Sequence, residues 1–324
     1  KGVAFQIRSY GWSIGASYSV VTNMDELAIY DCTAMPRHSD NADFARLVYL
    51  KVEDYTDNFE CLNSYLGYEE AINNNKNERF VGKDSIDKNF SKTLNNVRLN
   101  LAQAIINGTN GSINIADLNL WTQIILNRIL FIRVCEARGL EKDGLLKDFA
   151  RTDFWAQFKE SSYFAFYEHY DGPMFARINQ IQNLNIDNDV FNELLSYLYY
   201  PSPYCFDVIP LKSISDIYDL FLGYHLEYDE CGILGNVLKS EFRKSNGAVT
   251  TPEYIVQNTI NSTITPEYLQ SLTNEQILDL KILDPACGSG VFLVSIYDYL
   301  AAQIERNIKE KQDILADQYL YEKN

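Results

Sequence analysis

Between Leu280 and Leu293 the sequence reads LKILDPACGSGVFL. An acid, Asp284, closes an apolar run. Pro285, Ala286, Gly288 and Gly290 follow at once, and the amphipathic stretch VFLVSIYDYLAAQI comes next. An apolar strand, a glycine-rich turn and a helix in that order open a doubly wound α/β domain, whose ligands lie beyond the carboxyl ends of the strands. Glycine has no Cβ, so a ligand can approach the backbone and the turn can take positive φ. The free N–H groups at the start of the following helix attract a negative group. The chemistry on offer is the holding of a small ligand. Two familiar loops do not fit: a dinucleotide fingerprint needs glycine or alanine where Leu293 stands, and a P-loop needs a lysine that the turn lacks.

The elements around this turn change character along the chain. Residues 1–56 read as α/β: Gly2–Tyr10 leads through GWSIGAS into the β-rich runs YSVVTN and ELAIYDC. Asn23, Asp25 and Glu26 supply the turn between them, and RLVYLKVEDY offers an edge strand. Residues 57–235 read as helical. In LNLWTQIILNRILFIRVCEARGL, Leu118, Trp121, Ile125, Leu126, Ile129, Ile132, Val134 and Cys135 recur at mostly three-to-four spacing, which predicts a core helix ended by Gly139. Arg128, Arg133, Glu136 and Arg138 gather toward its end, where cations suit the helix dipole. Further helices are predicted near Asp187–Tyr199 and Ser213–Tyr224, with loops at INNNKNERFVGKDS and NGTNGS. From residue 236 onward GAVTTPEYIVQNTI predicts a loop entering a helix, with Thr251 as N-cap, Pro252 in the first turn, and Ile255, Val256, Thr259 and Ile260 on one face. The fold class expected is α/β plus α.

Composition bounds the rest. The chain has 324 residues, 46% hydrophobic and 22% charged, an ordinary globular balance with room for two or three domains. No run of eighteen apolar residues occurs, so no membrane span is predicted. The net charge of −16 argues against wholesale attraction to a polyanion, although LKSEFRKSN, Leu238–Asn246, is locally basic. The six cysteines show no CxxC pair and no histidine at ligand spacing, which predicts buried free thiols in a reducing cytoplasm and no metal site. His38, His169 and His225 form no local constellation. Asp25, Glu26 and Asp31 read as solvated turn and strand-end residues, and a nuclease metal site would need an acid pair with a lysine. The chain begins with Lys inside an apolar phrase, without a signal-peptide pattern, and is expected to be an internal piece of a larger protein.

The whole phrase DPACGSGVFL resembles the S-adenosylmethionine-binding motif of DNA N6-adenine methyltransferases. The resemblance implies that Asp284 faces the methionine part of the cofactor, that Pro285, Ala286, Gly288 and Gly290 clear space for it, and that Phe292 fills the motif's aromatic or apolar position. RKSNGAVTTPEYIV is similar to the G-x-[FY]-[YF]-T-P phrase that precedes the same strand in this family. Gly247, Thr251, Pro252 and Val256 match, while Val249 and Thr250 replace the two aromatics. Thr251 and Pro252 are thereby implied in cofactor contact. The family's catalytic [NDS]-P-P-[YFW] motif, which holds and stacks on a flipped adenine, does not follow Asp284; YYPSPYCF, Tyr199–Phe206, lacks its consecutive prolines and reads as a tight loop. No catalytic residue is therefore assigned, and the chain alone is expected to be inactive.

Upstream, AFQIRSYGWSIGASYSVVTNMDELAIYDC resembles the end of the PD-(D/E)xK nuclease domain of type IIG-like restriction-modification enzymes, with Gln6 and Tyr10 on its Q-x-x-x-Y helix. LNRILFIRVCEARGL and HYDGPMF resemble the helical connector of the same enzymes. The organisation implied is a nuclease tail over 1–56, a connector over 57–235 and the start of a Rossmann-like methyltransferase domain over 236–324. S-adenosylmethionine is the implied cofactor, Mg²⁺ the metal of the full-length nuclease only, and double-stranded DNA the partner of the full protein. Two alternatives stay open: a methyltransferase-only defence protein with a relic nuclease segment, and a non-catalytic module that binds S-adenosylmethionine or acts as a scaffold.

Overall fold

The computed structural model describes residues 2–69, 86–161, 165–170, 173–210, 213–214, 217, 221–240, 251–288 and 290–321. They fall into two compact units, Lys1–Lys244 and Ser245–Asn324. The architecture is mixed α/β, mostly helical, with small antiparallel sheets.

The first unit begins with helix α1 (Gly2–Ser13), followed by β1 (Tyr18–Thr22), β2 (Glu26–Asp31) and β3 (Arg46–Lys51) in an antiparallel sheet of order β1-β2-β3. The turn between β1 and β2 forms where the sequence places it. Asn23 Oδ1 accepts the Glu26 N–H at 2.8 Å, and the Thr22 hydroxyl donates to the Glu26 carbonyl at 2.7 Å. Asp25 and Glu26 are exposed, and Asp31 is a strand-end residue whose carboxylate accepts the N–H and hydroxyl of Thr33 at 2.7 Å. As the central strand, β2 is covered on both faces, so Leu27, Ala28, Ile29 and Tyr30 are all buried and the alternation of a half-exposed strand is lost. Ala28 and Tyr30 pack with Ala4 of α1. Arg8 of α1, also buried, pairs with Asp40 at 2.7 Å.

The body of this unit is helical: α2 (Phe59–Leu66), α3 (Ile86–Gly108), α4 (Ile115–Ala137), α5 (Leu145–Ala150), α6 (Phe154–Ser161) and α7 (Asp189–Leu198), with shorter turns between α6 and α7. Helix α4 is the predicted core helix. Asn114 caps it by accepting the Asp117 N–H, and Gly139 follows its end with φ +71°. Leu118, Ile125, Leu126, Ile129, Ile132 and Cys135 are buried, while Trp121 and Val134 are only partly so. Among the described residues α4 alone is long and apolar enough to cross a membrane, yet its apolar face is sunk in this core.

Its charges do something the sequence did not suggest. Arg128 and Glu136 are buried, and the arginines donate to carbonyls of neighbouring turns and helix ends. Arg128 donates to the carbonyls of Met174 and Ala176, both at 2.7 Å, Arg133 to Leu198 at 2.9 Å and Arg138 to Ile209 at 2.5 Å. Carbonyls outside helices and ladders must find donors when buried, and a guanidinium can serve two at once. Arg98 of α3 does the same for Tyr224 (2.9 Å) and Phe221 (2.8 Å).

The helical pattern read from 57 to 235 is interrupted by a hairpin, β4 (Tyr224–Tyr228) and β5 (Leu234–Leu238). Its turn is built by Asp229, whose carboxylate accepts the N–H groups of Cys231 and Ile233, and by Gly232 at φ +74°. The Asn119 side chain on α4 accepts the Leu226 N–H at 2.7 Å and donates to its carbonyl at 2.9 Å. The helix expected near Asp187–Tyr199 is α7. Of that expected at Ser213–Tyr224, the described residues 213–214, 217 and 221–222 are helical, and Tyr224 already belongs to β4. The loop at 72–85 and most of the basic stretch 238–246 lie outside the described residues. All six cysteines are free as predicted, but Cys61, Cys231 and Cys287 are exposed, since they sit on α2, the hairpin turn and the glycine-rich turn rather than in a core.

The second unit holds α8 (Glu253–Thr263), α9 (Pro266–Gln270), α10 (Asn274–Leu278) and the long α11 (Val291–Tyr321). Ile264, Leu269 and Ile277 form its core with Ile296, Tyr299, Leu300 and Ile304 of α11. Thr265 caps α9 with Pro266 in its first turn, and Thr273 with Gln276 forms a capping box on α10.

Two outcomes follow from the polar interior of the first unit. Arg98→Ala removes the hydrogen bonds to the Tyr224 and Phe221 carbonyls and to Gln123 Oε1 and leaves the two carbonyls without this donor, so a loss of about 3 kcal/mol is expected in urea denaturation of the protein. Glu136 accepts the Tyr199 hydroxyl at 2.5 Å and the Leu146 N–H at 2.9 Å, yet burial outweighs these bonds and holds its carboxyl above the usual range. The folded state therefore keeps the proton that the unfolded state releases first. Stability contributed by this group falls as pH rises from the ordinary carboxylate value through the raised folded one. Thermal midpoints measured across that window should decline more steeply for the native protein than for Glu136→Gln.

Candidate functional site

The phrase DPACGSG folds as a compact turn at the head of α11. Asp284, half-buried, accepts the Ala286 N–H on Oδ1 at 3.0 Å, so the acid itself shapes the turn. Pro285 and Ala286 lie in the bend. Gly288 takes φ +54° and Gly290 φ +81°, the left-handed region that L side chains avoid. The Gly290 N–H bonds to the Cys287 carbonyl at 2.7 Å, and the Gly290 carbonyl receives the Val294 N–H at 2.9 Å as the first bond of α11. The N–H groups of the first helical turn have no carbonyl partner within the helix. A Cβ built on either glycine meets nothing within 4 Å. Glycine is thus required here by backbone conformation, and the space beyond it is open. Phe292, in the first turn of α11, is half-buried.

The run before the turn differs from expectation. Residues 281–284 form no strand; Leu283 is 85% exposed and Ile282 39%. A strand of a parallel sheet is held by ladder partners at its edges, and none of the described strands pairs with this run. The entry to α8 is also shifted by one residue. Pro252, at φ −55° and ψ 141°, occupies the N-cap position, Thr251 precedes it, and Glu253 is the first helical residue. Proline at the cap places no N–H in need of a partner. Of the four residues expected on one face, Val256 and Ile260 are buried, whereas Ile255 and Thr259, turned about 100° from them, are exposed. Gly247, Val249 and Thr250 lie outside the described residues. The helices that follow the two motif phrases, α8 and α11, pack against each other.

Elsewhere the residues singled out by sequence keep simpler company. Gln6 Nε2 donates to the Tyr10 hydroxyl at 3.5 Å across one turn of α1. YYPSPYCF forms a packed bend in which Tyr199, Tyr204 and Phe206 are buried and Tyr200 is exposed. Among the described residues no group of three His, Cys, Asp or Glu side chains could hold a metal ion. The role of Glu136 and its arginine neighbours escaped sequence reasoning, because a charge at a helix end reads as solvated until the fold shows what lies against it.

The glycine geometry gives a direct check. Gly288→Ala and Gly290→Ala should each destabilise the second unit by about 1–2 kcal/mol, since each forces a side chain into the left-handed region. Gly235→Ala on β5, where the added methyl also meets nothing but φ is not left-handed, should be nearly neutral in the same thermal denaturation series.

No family model matches the chain, and no solved structure matches it significantly. The type II restriction enzyme and methyltransferase RM.Eco57I of Escherichia coli is 29% identical to it over 325 residues. The aligned region is 98% of this chain and 31% of that protein, so the chain spans about a third of its relative's length. The chain is a homologue of this restriction-modification enzyme, similar to it almost from end to end.

Proposed function

We propose that this chain is part of a bifunctional restriction-modification enzyme that methylates adenine N6 in double-stranded DNA with S-adenosylmethionine and cleaves unmodified DNA. In this proposal residues 1–56 are the back part of a Mg²⁺-dependent nuclease-like domain and 57–235 a helical connector. Residues 236–324 begin the Rossmann-like methyltransferase domain of a cytoplasmic protein. The observation that carries the proposal is the Asp284–Gly290 turn: an acid, two left-handed glycines and the N-terminus of a long helix facing open space.

The donor set fits S-adenosylmethionine. One Asp284 oxygen is used by the turn, and the other can accept from the ammonium group of the methionine moiety. The first N–H groups of α11 can donate to its carboxylate, aided by the helix dipole. Thr251, Pro252, Pro285, Ala286, Gly288, Gly290 and Phe292 complete the binding set by the motif match. When bound, the cofactor supplies an activated methyl group on its sulfonium. The residues of this chain bind and orient it, and none is assigned to proton transfer or to the flipped adenine.

The test uses the whole protein, tritiated S-adenosylmethionine and an unmethylated duplex. Label is expected on adenine N6, and a protein that binds the cofactor but never labels DNA would sink the proposal in favour of a non-catalytic module. Asp284→Asn preserves the acceptor for Ala286 while removing the charge. It should weaken cofactor affinity about tenfold by calorimetry, the scale of one charge-assisted hydrogen bond.

A further inference from the structure

The C-terminal turn of α1 is fastened to the helical body through Trp12 and Ser13. Trp12 is 3% exposed and belongs to the main core. Its ring lies 5.5 Å from that of Tyr204, which lies 4.5 Å from Phe90 on α3. Beside it Ser13 is 1% exposed. Its hydroxyl donates to the Pro203 carbonyl at 3.1 Å and accepts the Cys205 N–H at 3.1 Å, and the Cys205 thiol donates to the same Pro203 carbonyl at 3.8 Å. One oxygen thus holds the backbone on both sides of Tyr204. The segment it grips is itself anchored to α4, through the Tyr199 hydroxyl on Glu136 and through Arg133 on the Leu198 carbonyl.

Gln6 and Tyr10 sit on this same helix, and Tyr10 stands one turn before Ser13. A hydroxyl bonded to two backbone groups fixes both the rotation and the axial position of the helix that carries it. We infer that Ser13 is a positioning residue: it sets the place of Gln6 and Tyr10 on the helical body, and its attachment stays closed while DNA is cut. The inference rests on the proposal that residues 1–56 belong to a nuclease-like domain.

Two substitutions in the whole protein test it, with Mg²⁺ and unmodified duplex DNA as the probe. Ser13→Ala should cut about tenfold more slowly in kcat, with KM for DNA and the rate of methyl transfer as in the native enzyme. Ser13→Cys places a thiol beside the native Cys205. Under a mild oxidant the two should form a disulfide, seen by peptide mapping, and the locked enzyme should cut as fast as the reduced one. Unchanged cutting by Ser13→Ala overturns the role, and so does failure of the disulfide to form in an enzyme that still methylates. Cutting that is lost on locking and regained on reduction overturns it too, since α1 would then have to leave this attachment during turnover. A native protein that methylates but never cuts removes the nuclease proposal itself, an outcome distinct from all of these.

Discussion

Buried irregular backbone needs donors, and in this protein arginine supplies them. Helix ends, a strand end and the turns between them in the first unit carry carbonyls that accept from arginine side chains. Arg98, Arg128, Arg133 and Arg138 reach out from α3 and α4 to carbonyls at 174, 176, 198, 209, 221 and 224. Burial draws Arg98 and Arg128 down to about 10, which still leaves both charged at neutral pH. Their charge is spread over carbonyl dipoles and ring faces: the Arg98 guanidinium lies 3.7 Å from the Phe221 ring centre, and that of Arg128 lies 5.8 Å from Phe175. The loops of the first unit are therefore held by side chains of two helices rather than by a sheet, and the helices must stand in register for the loops to close.

The second unit solves a different problem. Its core is small, and α11 supplies one wall of it while presenting its N-terminal turn to open space. The conformation of that turn is set locally, by the Asp284 carboxylate and by two glycines in the left-handed region. A turn whose shape is encoded in its own residues does not depend on neighbouring strands to reach that shape. This explains how the turn keeps its form although residues 281–284 make no ladder.

Much of this was legible in the sequence, for identifiable reasons. The strands β1, β2 and β3 were visible because β-branched and aromatic residues alternate around a strong Asn-Asp turn. Helix α4 was visible because its apolar repeat runs for more than five turns. The glycine-rich turn was visible because few backbones need Gly-Ser-Gly after an acid. The hairpin β4–β5 was missed because its strands are short and mixed in character, and its turn relies on Asp229 rather than on an Asn-Gly pair. Helices α9 and α10 are a turn and a half each, too short for periodicity, although the caps Thr265 and Thr273 were there to be read. The strand expected at Leu280–Asp284 was read from its residues, but a strand exists only with a partner. Residue charge misled in the same way at Arg128 and Glu136, where burial is a property of the fold and not of the local sequence.

The Asn119 amide closes an edge of the β4–β5 hairpin. By meeting both the N–H and the carbonyl of Leu226, it takes the place that a neighbouring strand would occupy. An open hairpin edge is a template on which a second polypeptide can add a strand. Here one side chain from a helix has filled that template at its midpoint. Loss of this amide would expose a sticky edge as well as weaken a contact, and would turn a question of stability into one of self-association.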